Sequence, residues 1–108
     1  MEDLAQVVRG EVWWAATRGG DRPVLVLTRN PVADSASSVV VAACTSTIRG
    51  LESEFLLGPE EGMPQECVVS FDNLYTLSRS EFRRPITRLA PELMDEVCQT
   101  LGRALGCL

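Results

Sequence analysis

The chain has 108 residues, 45% of them apolar, enough for one domain to bury a core without disulfide or metal staples. Fifteen acids against ten basic residues leave a net charge of −5, and there is no histidine. That excludes acid–base chemistry built on paired histidines and Ser-His-Asp hydrolysis.

No run approaches the ~20 apolar residues that a membrane-spanning helix needs. Met1 to Gln6 carries two acids and none of the apolar core of a secretory signal. A soluble, cytoplasmic, single-domain protein over 1–108, without membrane contact, is expected.

Val8 to Ala16 reads as a first strand bearing two tryptophans on opposite faces. One tryptophan is expected in the core, the other at an interface or under a base. The run Thr17-Arg18-Gly19-Gly20-Asp21 predicts a tight turn, because adjacent glycines adopt positive φ without steric cost. Pro23 to Thr28 predicts a second strand, and Asn30 to Ser38 a loop. Val39 to Cys44 is apolar at every position, the pattern of a strand buried on both faces. Glu52 to Leu57 and Cys67 to Phe71 read as further strands around a Gly/Pro/Glu loop at 58–65. Ser78-Arg79-Ser80-Glu81 has the form of a capping box and predicts a short helical turn. Arg84 to Leu89 follows as a last strand. Pro91 fits the first position of a helix whose apolar stripe is Leu93, Met94, Val97, Cys98, Leu101 and Leu105. The expected fold is therefore mainly β with a C-terminal helix (α+β), a small antiparallel barrel whose closure removes exposed edges.

The four cysteines, at 44, 67, 98 and 107, have no Cys-x-x-Cys spacing and no histidine to join them. They read as small apolar fillers with free thiols, and no metal or other cofactor is expected. All ten cations are arginines. The acids gather at 52–66 and 92–96, which leaves Arg9, Arg18, Arg22 and Arg29 in a region nearly free of them. A locally basic face on an acidic protein follows, and arginine's planar fork suits phosphate.

Three stretches, taken together, resemble the MazF/PemK family of toxin endoribonucleases. Arg9-Gly10-Glu11-Val12-Trp13-Trp14 is similar to that family's opening Arg-Gly-acid-aliphatic-aromatic strand. Gly20-Asp21-Arg22-Pro23-Val24-Leu25-Val26-Leu27 is similar to its glycine–x–Arg-Pro strand. Val41-Ala42-Ala43-Cys44-Thr45-Ser46-Thr47-Ile48 is similar to its apolar strand ending in threonine or serine. The part from Asp72 onward follows the pattern more loosely. The resemblance implies an SH3-like barrel, a two-fold homodimer and sequence-selective cleavage of single-stranded RNA. It also implies a cognate, MazE-like antitoxin that lays an extended, often acidic tail over the RNA site.

In the family the catalytic pair is the arginine of the Arg-Pro strand and the hydroxyl residue closing the later strand. Those positions match Arg22 and Thr45. Arg18, Arg29, Ser46 and Asn73 are carried over as RNA-binding candidates, Asn73 from the acid–amide pair Asp72-Asn73. One departure is plain: Ala15 to Asp21 is shorter than the usual first loop and lacks its Gly-Ser-Glu-Gln stretch.

RNA brings its own nucleophile, the 2′-hydroxyl. Arg22 would stabilise charge on the phosphate and Thr45 would donate a hydrogen bond to it, giving a 2′,3′-cyclic phosphate and a 5′-hydroxyl. Asp21 or water would take the proton. Other readings fit the same residues. Arg22 also suits a surface ion pair at a strand end, and Thr45 an ordinary strand position. A toxin of the same fold that binds DNA gyrase without catalysis, or an inactive interaction module, would not need the pair.

Overall fold

The computed structural model describes residues 6–30 and 37–108; most of the loop expected at 30–38, and nearly all of the opening segment, lie outside them. Six strands and one long helix follow in chain order: β1 Glu11–Thr17, β2 Gly20–Val26, β3 Ser38–Thr45, β4 Glu54–Leu57, β5 Cys67–Ser78, β6 Phe82–Arg88 and α1 Pro91–Leu105. They form one antiparallel sheet in the order β4-β5-β3-β2-β1-β6. The fold class is the expected one, mostly antiparallel β with a single C-terminal helix.

β3 sits inside the sheet with cores on both faces, as its unbroken apolar run requires. Val12, Leu25, Leu27, Ala42, Cys44 and Val69 pack on one face, under α1 and the loop after β4. Trp13, Ala15, Val24, Val26, Val39 and Val41 pack on the other. The two-residue period of the strands separates the sets. A fully buried side chain such as Leu25 contributes roughly 1.5–3 kcal/mol, so both faces must be covered for the sheet to persist.

The sheet curls, but its ladder does not close. Among the described residues, β4 and β6 remain edges that no strand pairing joins. A short 3-10 turn after β4, Pro59–Glu61, bridges the seam instead: Thr87 Oγ1 on β6 donates to the Glu61 carbonyl at 2.8 Å. β4 is only four residues long, which fits the way natural sheets keep edges brief.

Two further differences from the sequence expectation, in β5 and on α1, have local causes. β5 runs on to Ser78 rather than stopping at Phe71. Asp72 and Asn73 lie in a bulge within it, where Ala42 pairs with Leu74 while neighbouring Ala43 pairs with Ser70. Ser78 does cap the 3-10 turn Arg79–Glu81, with its hydroxyl accepting from the Ser80 N–H. On α1, Pro91 opens the helix, and Met94, Val97 and Thr100 are buried with Leu93, Leu101 and Ala104 packed beside them. Cys98 and Leu105 turn outward.

Candidate active site

The β1–β2 hairpin sets the site's first residue. Thr17 Oγ1 donates to the Gly20 carbonyl at 2.7 Å and accepts from the Gly19 N–H at 3.2 Å, and Gly20 takes φ +99°. This closes the turn around Arg18-Gly19 and places Arg22 opposite Ala15. Gly19 matters for a second reason. A Cβ there would fall 2.8–3.0 Å from the Arg22 guanidinium, so the arginine lies across the space that glycine leaves open.

β2 pairs with β3 through Val24–Ala43, Leu25–Ala42 and Val26–Val41. The same register carried two residues further sets Arg22 opposite Thr45, on one face. Residues from the sheet and from the loop before β5 enclose a cavity of about 610 Å³, lined by Trp14, Asp21, Arg22, Thr45, Ser46 and Gln65 among others.

Thr45 is half-buried, and its hydroxyl oxygen accepts the Thr47 N–H at 3.2 Å. A hydroxyl has one proton to donate and can accept twice. The backbone bond fixes the oxygen and leaves the O–H proton free to donate into the cavity. Arg22 is half-buried as well, and Ser46 is exposed beside Thr45. An arginine fork and two hydroxyls thus share one concave surface, a donor set suited to an anionic oxygen.

The structure brings Arg22, Thr45 and Ser46 together, and leaves the other sequence candidates elsewhere. Arg18, at the hairpin tip, lines a separate cleft with Thr76, Ser78 and Glu81. Arg29 is exposed and lines neither cavity. Asn73 lies at the β5 bulge, donating to Ser70 Oγ at 3.2 Å, while Asp72 accepts from Ser53 Oγ.

Of the two tryptophans, Trp13 is core, edge-on to Phe82 at 5.8 Å, and Trp14 is half-buried at the cavity wall with the Arg84 guanidinium 5.8 Å above its ring. Sequence reasoning did not find Gly19's role, the wall formed by Met63, Pro64 and Gln65, or the contribution of Cys44 and Cys67 to the same lining. Only the paired glycines left a signal, and it spoke for a turn.

A second cavity of about 560 Å³ lies at the start of α1, lined by Arg9, Asn30, Arg88 and Cys98 among others. Size does not separate the two. Here Arg9 is engaged with the Leu27 carbonyl and with Cys98 Sγ, so its fork is already used to hold the end of β2 against α1. Among the described residues no three His, Cys, Asp or Glu side chains gather as a metal site, and no helix is long and apolar enough to cross a membrane.

A curled antiparallel sheet with one C-terminal helix, carrying an arginine and a threonine in a groove beside its first hairpin, defines a class of small half-barrel proteins. The chain belongs to the PemK-like, MazF-like toxins of type II toxin–antitoxin systems, whose family profile matches residues 8–105. It is 60% identical over 100 residues to a probable endoribonuclease MazF2 of Mycobacterium tuberculosis, covering 92% of this chain and 98% of that one. A second relative from that organism, a probable endoribonuclease MazF5, is 38% identical over 92% of this chain and 93% of its own. Among solved structures, the Mycobacterium tuberculosis toxin MazF-mt6 superposes with a TM-score of 0.82 at 32% identity, over 89% of this chain and 96% of that one. A mycobacterial endoribonuclease solved in complex with its cognate antitoxin gives 0.83 at 25% identity, over 94% and 97%.

Proposed function

We propose that this chain is a sequence-selective endoribonuclease, the toxin of a toxin–antitoxin pair, and that it cleaves single-stranded RNA in the Arg22–Thr45 groove without a metal. The observation that carries this reading is that Arg22 and Thr45 line one cavity, as the β2–β3 register extended by two residues would have it. The relatives named as endoribonucleases support the substrate class.

In this reading the 2′-oxygen attacks the phosphorus and the bond to the 5′-oxygen breaks. The products are a 2′,3′-cyclic phosphate and a 5′-hydroxyl. Arg22 spreads its fork over the non-bridging oxygens as their charge grows, and Thr45 donates its free proton to one of them. A guanidinium is too basic to give up its own proton for this work. Asp21, on the cavity lining, and water are the candidate acceptors of the 2′-proton, and a proton from water completes the 5′-hydroxyl as the 5′-oxygen leaves. Ser46 adds a second hydroxyl at the phosphate. Arg18, Arg29 and Asn73 would contact RNA away from the scissile bond.

The working form is a cytoplasmic homodimer of the single 1–108 domain, with RNA across or beside the two-fold. The cavity of one chain is short for a strand of RNA, and a second copy would lengthen it. Light scattering is expected to give about twice the chain mass at micromolar concentration; a strict monomer that cleaves efficiently would refute the dimer. The MazE-like antitoxin competes for the same groove. Arginines at 18, 22 and 29 supply counter-charge to an acidic tail, so that binding weakens with salt.

Purified protein incubated with mixed single-stranded RNA and excess chelator tests the activity itself. Fragments with 5′-hydroxyl ends mapping to one short sequence are the expected result. Binding without cutting would turn the assignment to a non-catalytic toxin of this fold, and cutting only after a divalent ion is restored would turn it to a metal-dependent nuclease.

A further inference from the structure

Cys44 and Cys67 are buried, free, and placed where the groove's chemistry is concentrated. Cys44 immediately precedes Thr45. In the β3–β5 ladder Cys44 pairs with Val69 and Thr45 with Val68, so one further step sets Ser46 opposite Cys67. Cys67 is therefore the diagonal neighbour of Cys44 on the same face. The two thiols belong to one core cluster, and both line the cavity that holds Arg22 and Thr45.

We propose that Cys44 and Cys67 are a modification site at which hydrogen peroxide forms a disulfide that disables the groove. The second half of this proposal rests on the RNA-cleaving role of Arg22 and Thr45.

The chemistry balances with peroxide as the oxidant. The Cys67 sulfur attacks the O–O bond, which breaks; one oxygen leaves as water and Cys67 becomes a sulfenic acid. The Cys44 sulfur then attacks the Cys67 sulfur, the S–S bond forms, and the sulfenic oxygen leaves as the second water. Two thiols lose two electrons and two protons, and one peroxide is reduced. The order follows from position, since Cys67 is the first residue of β5 at the cavity and Cys44 lies within β3, and the proton balance of the pair agrees. By donating to Cys67, Cys44 holds the Cys67 thiol below the ordinary range against the opposing effect of burial, and the same contact together with burial pushes Cys44 up. The thiolate is the reactive form, so Cys67 goes first.

Bond formation must move the backbone. Diagonal neighbours in an antiparallel pair are about 7–8 Å apart, while a disulfide prefers Cα atoms about 4.4–6.8 Å apart. Cys67 begins β5, and Thr45 ends β3 one residue after Cys44, so the strand ends are what can give. Drawing them together shifts Thr45 and Ser46 against Arg22. Displacements near 1 Å at reacting groups cost up to about a hundredfold in rate.

The test uses the full chain carrying Cys98→Ser and Cys107→Ser, which removes the exposed thiols. After peroxide treatment, trypsin is expected to yield residues 30–49 linked to 50–79 through Cys44 and Cys67. RNA cleavage is expected to fall at least tenfold in step with that linkage and to return with dithiothreitol. Cys67→Ser and Cys44→Ala, each added to the same background and each compared with its own untreated rate, are expected to lose no activity on peroxide treatment. Absence of the linked peptide, an unchanged rate in fully linked protein, or equal inactivation of the Cys67→Ser protein would each overturn the proposal. Failure of the reduced protein to cut RNA would instead refute the endoribonuclease reading, and the linked peptide would still decide whether the pair is a peroxide-sensitive site.

Discussion

Arg22→Ala is expected to lower the single-turnover rate of RNA cleavage by about 10²–10³, the usual cost of removing one preorganised donor from a developing oxyanion. Stability should change little. Arg22 is half-buried at the open end of the β2–β3 pairing, and its guanidinium lies over Gly19 rather than in the core. Surface substitutions of this kind stay within about 0.5 kcal/mol. Arg22→Lys should recover little of the rate, because an ammonium is a point charge that cannot hold two phosphate oxygens in one plane. Single-turnover kinetics and thermal unfolding, measured on the same samples, separate the outcomes. Cleavage near the parent rate in Arg22→Ala, or a parallel fall of rate and melting temperature, would make Arg22 a structural residue.

Thr45→Val carries the second large expected loss, about 10² in the same assay. Valine keeps the β-branched shape that β3 accommodates and deletes the hydroxyl. The Thr47 N–H loses its acceptor, but Thr47 is exposed and water can replace it. Thr45→Ser should retain most of the activity, because the hydroxyl and its local bond to the Thr47 N–H survive. Full activity in Thr45→Val would remove Thr45 from the mechanism. Equal losses in the serine and valine variants would point to packing of the methyl group instead of donation by the hydroxyl.

The elements that position this pair are legible in the residues themselves. Paired glycines mark the hairpin, Arg22-Pro23 follows in the first half of β2, and the apolar run 39–44 is a strand with core on both faces, Val40 being its one exposed residue. What the sequence could not convey is where tertiary contact overrides local signal. Asp72-Asn73 has turn chemistry, yet it sits in a bulge because β3 holds β5 in line on either side of it. Arginines close in sequence looked like one basic face, but the hairpin tip carries Arg18 to a different cleft from Arg22. Cys98 falls on the helical apolar stripe, yet it is exposed and accepts from Arg9 instead. Cys44 and Cys67 meet only because of the β3–β5 register, which spacing along the chain does not encode. Gly19 announced a turn; its second use, as the open space beneath the Arg22 guanidinium, depends on how the hairpin folds back on itself.

The central claim is that RNA supplies the nucleophile while Arg22 and Thr45 stabilise the phosphate. It is tested most directly by two oligonucleotides identical except for one 2′-deoxy sugar at the cut site. Both are expected to bind the chelator-treated protein with similar affinity. The all-ribose strand is expected to be cut to a 2′,3′-cyclic phosphate and a 5′-hydroxyl, and the substituted strand to remain intact. Cleavage of the 2′-deoxy strand at that position would contradict the account, because some group other than the neighbouring 2′-oxygen would then be attacking the phosphorus.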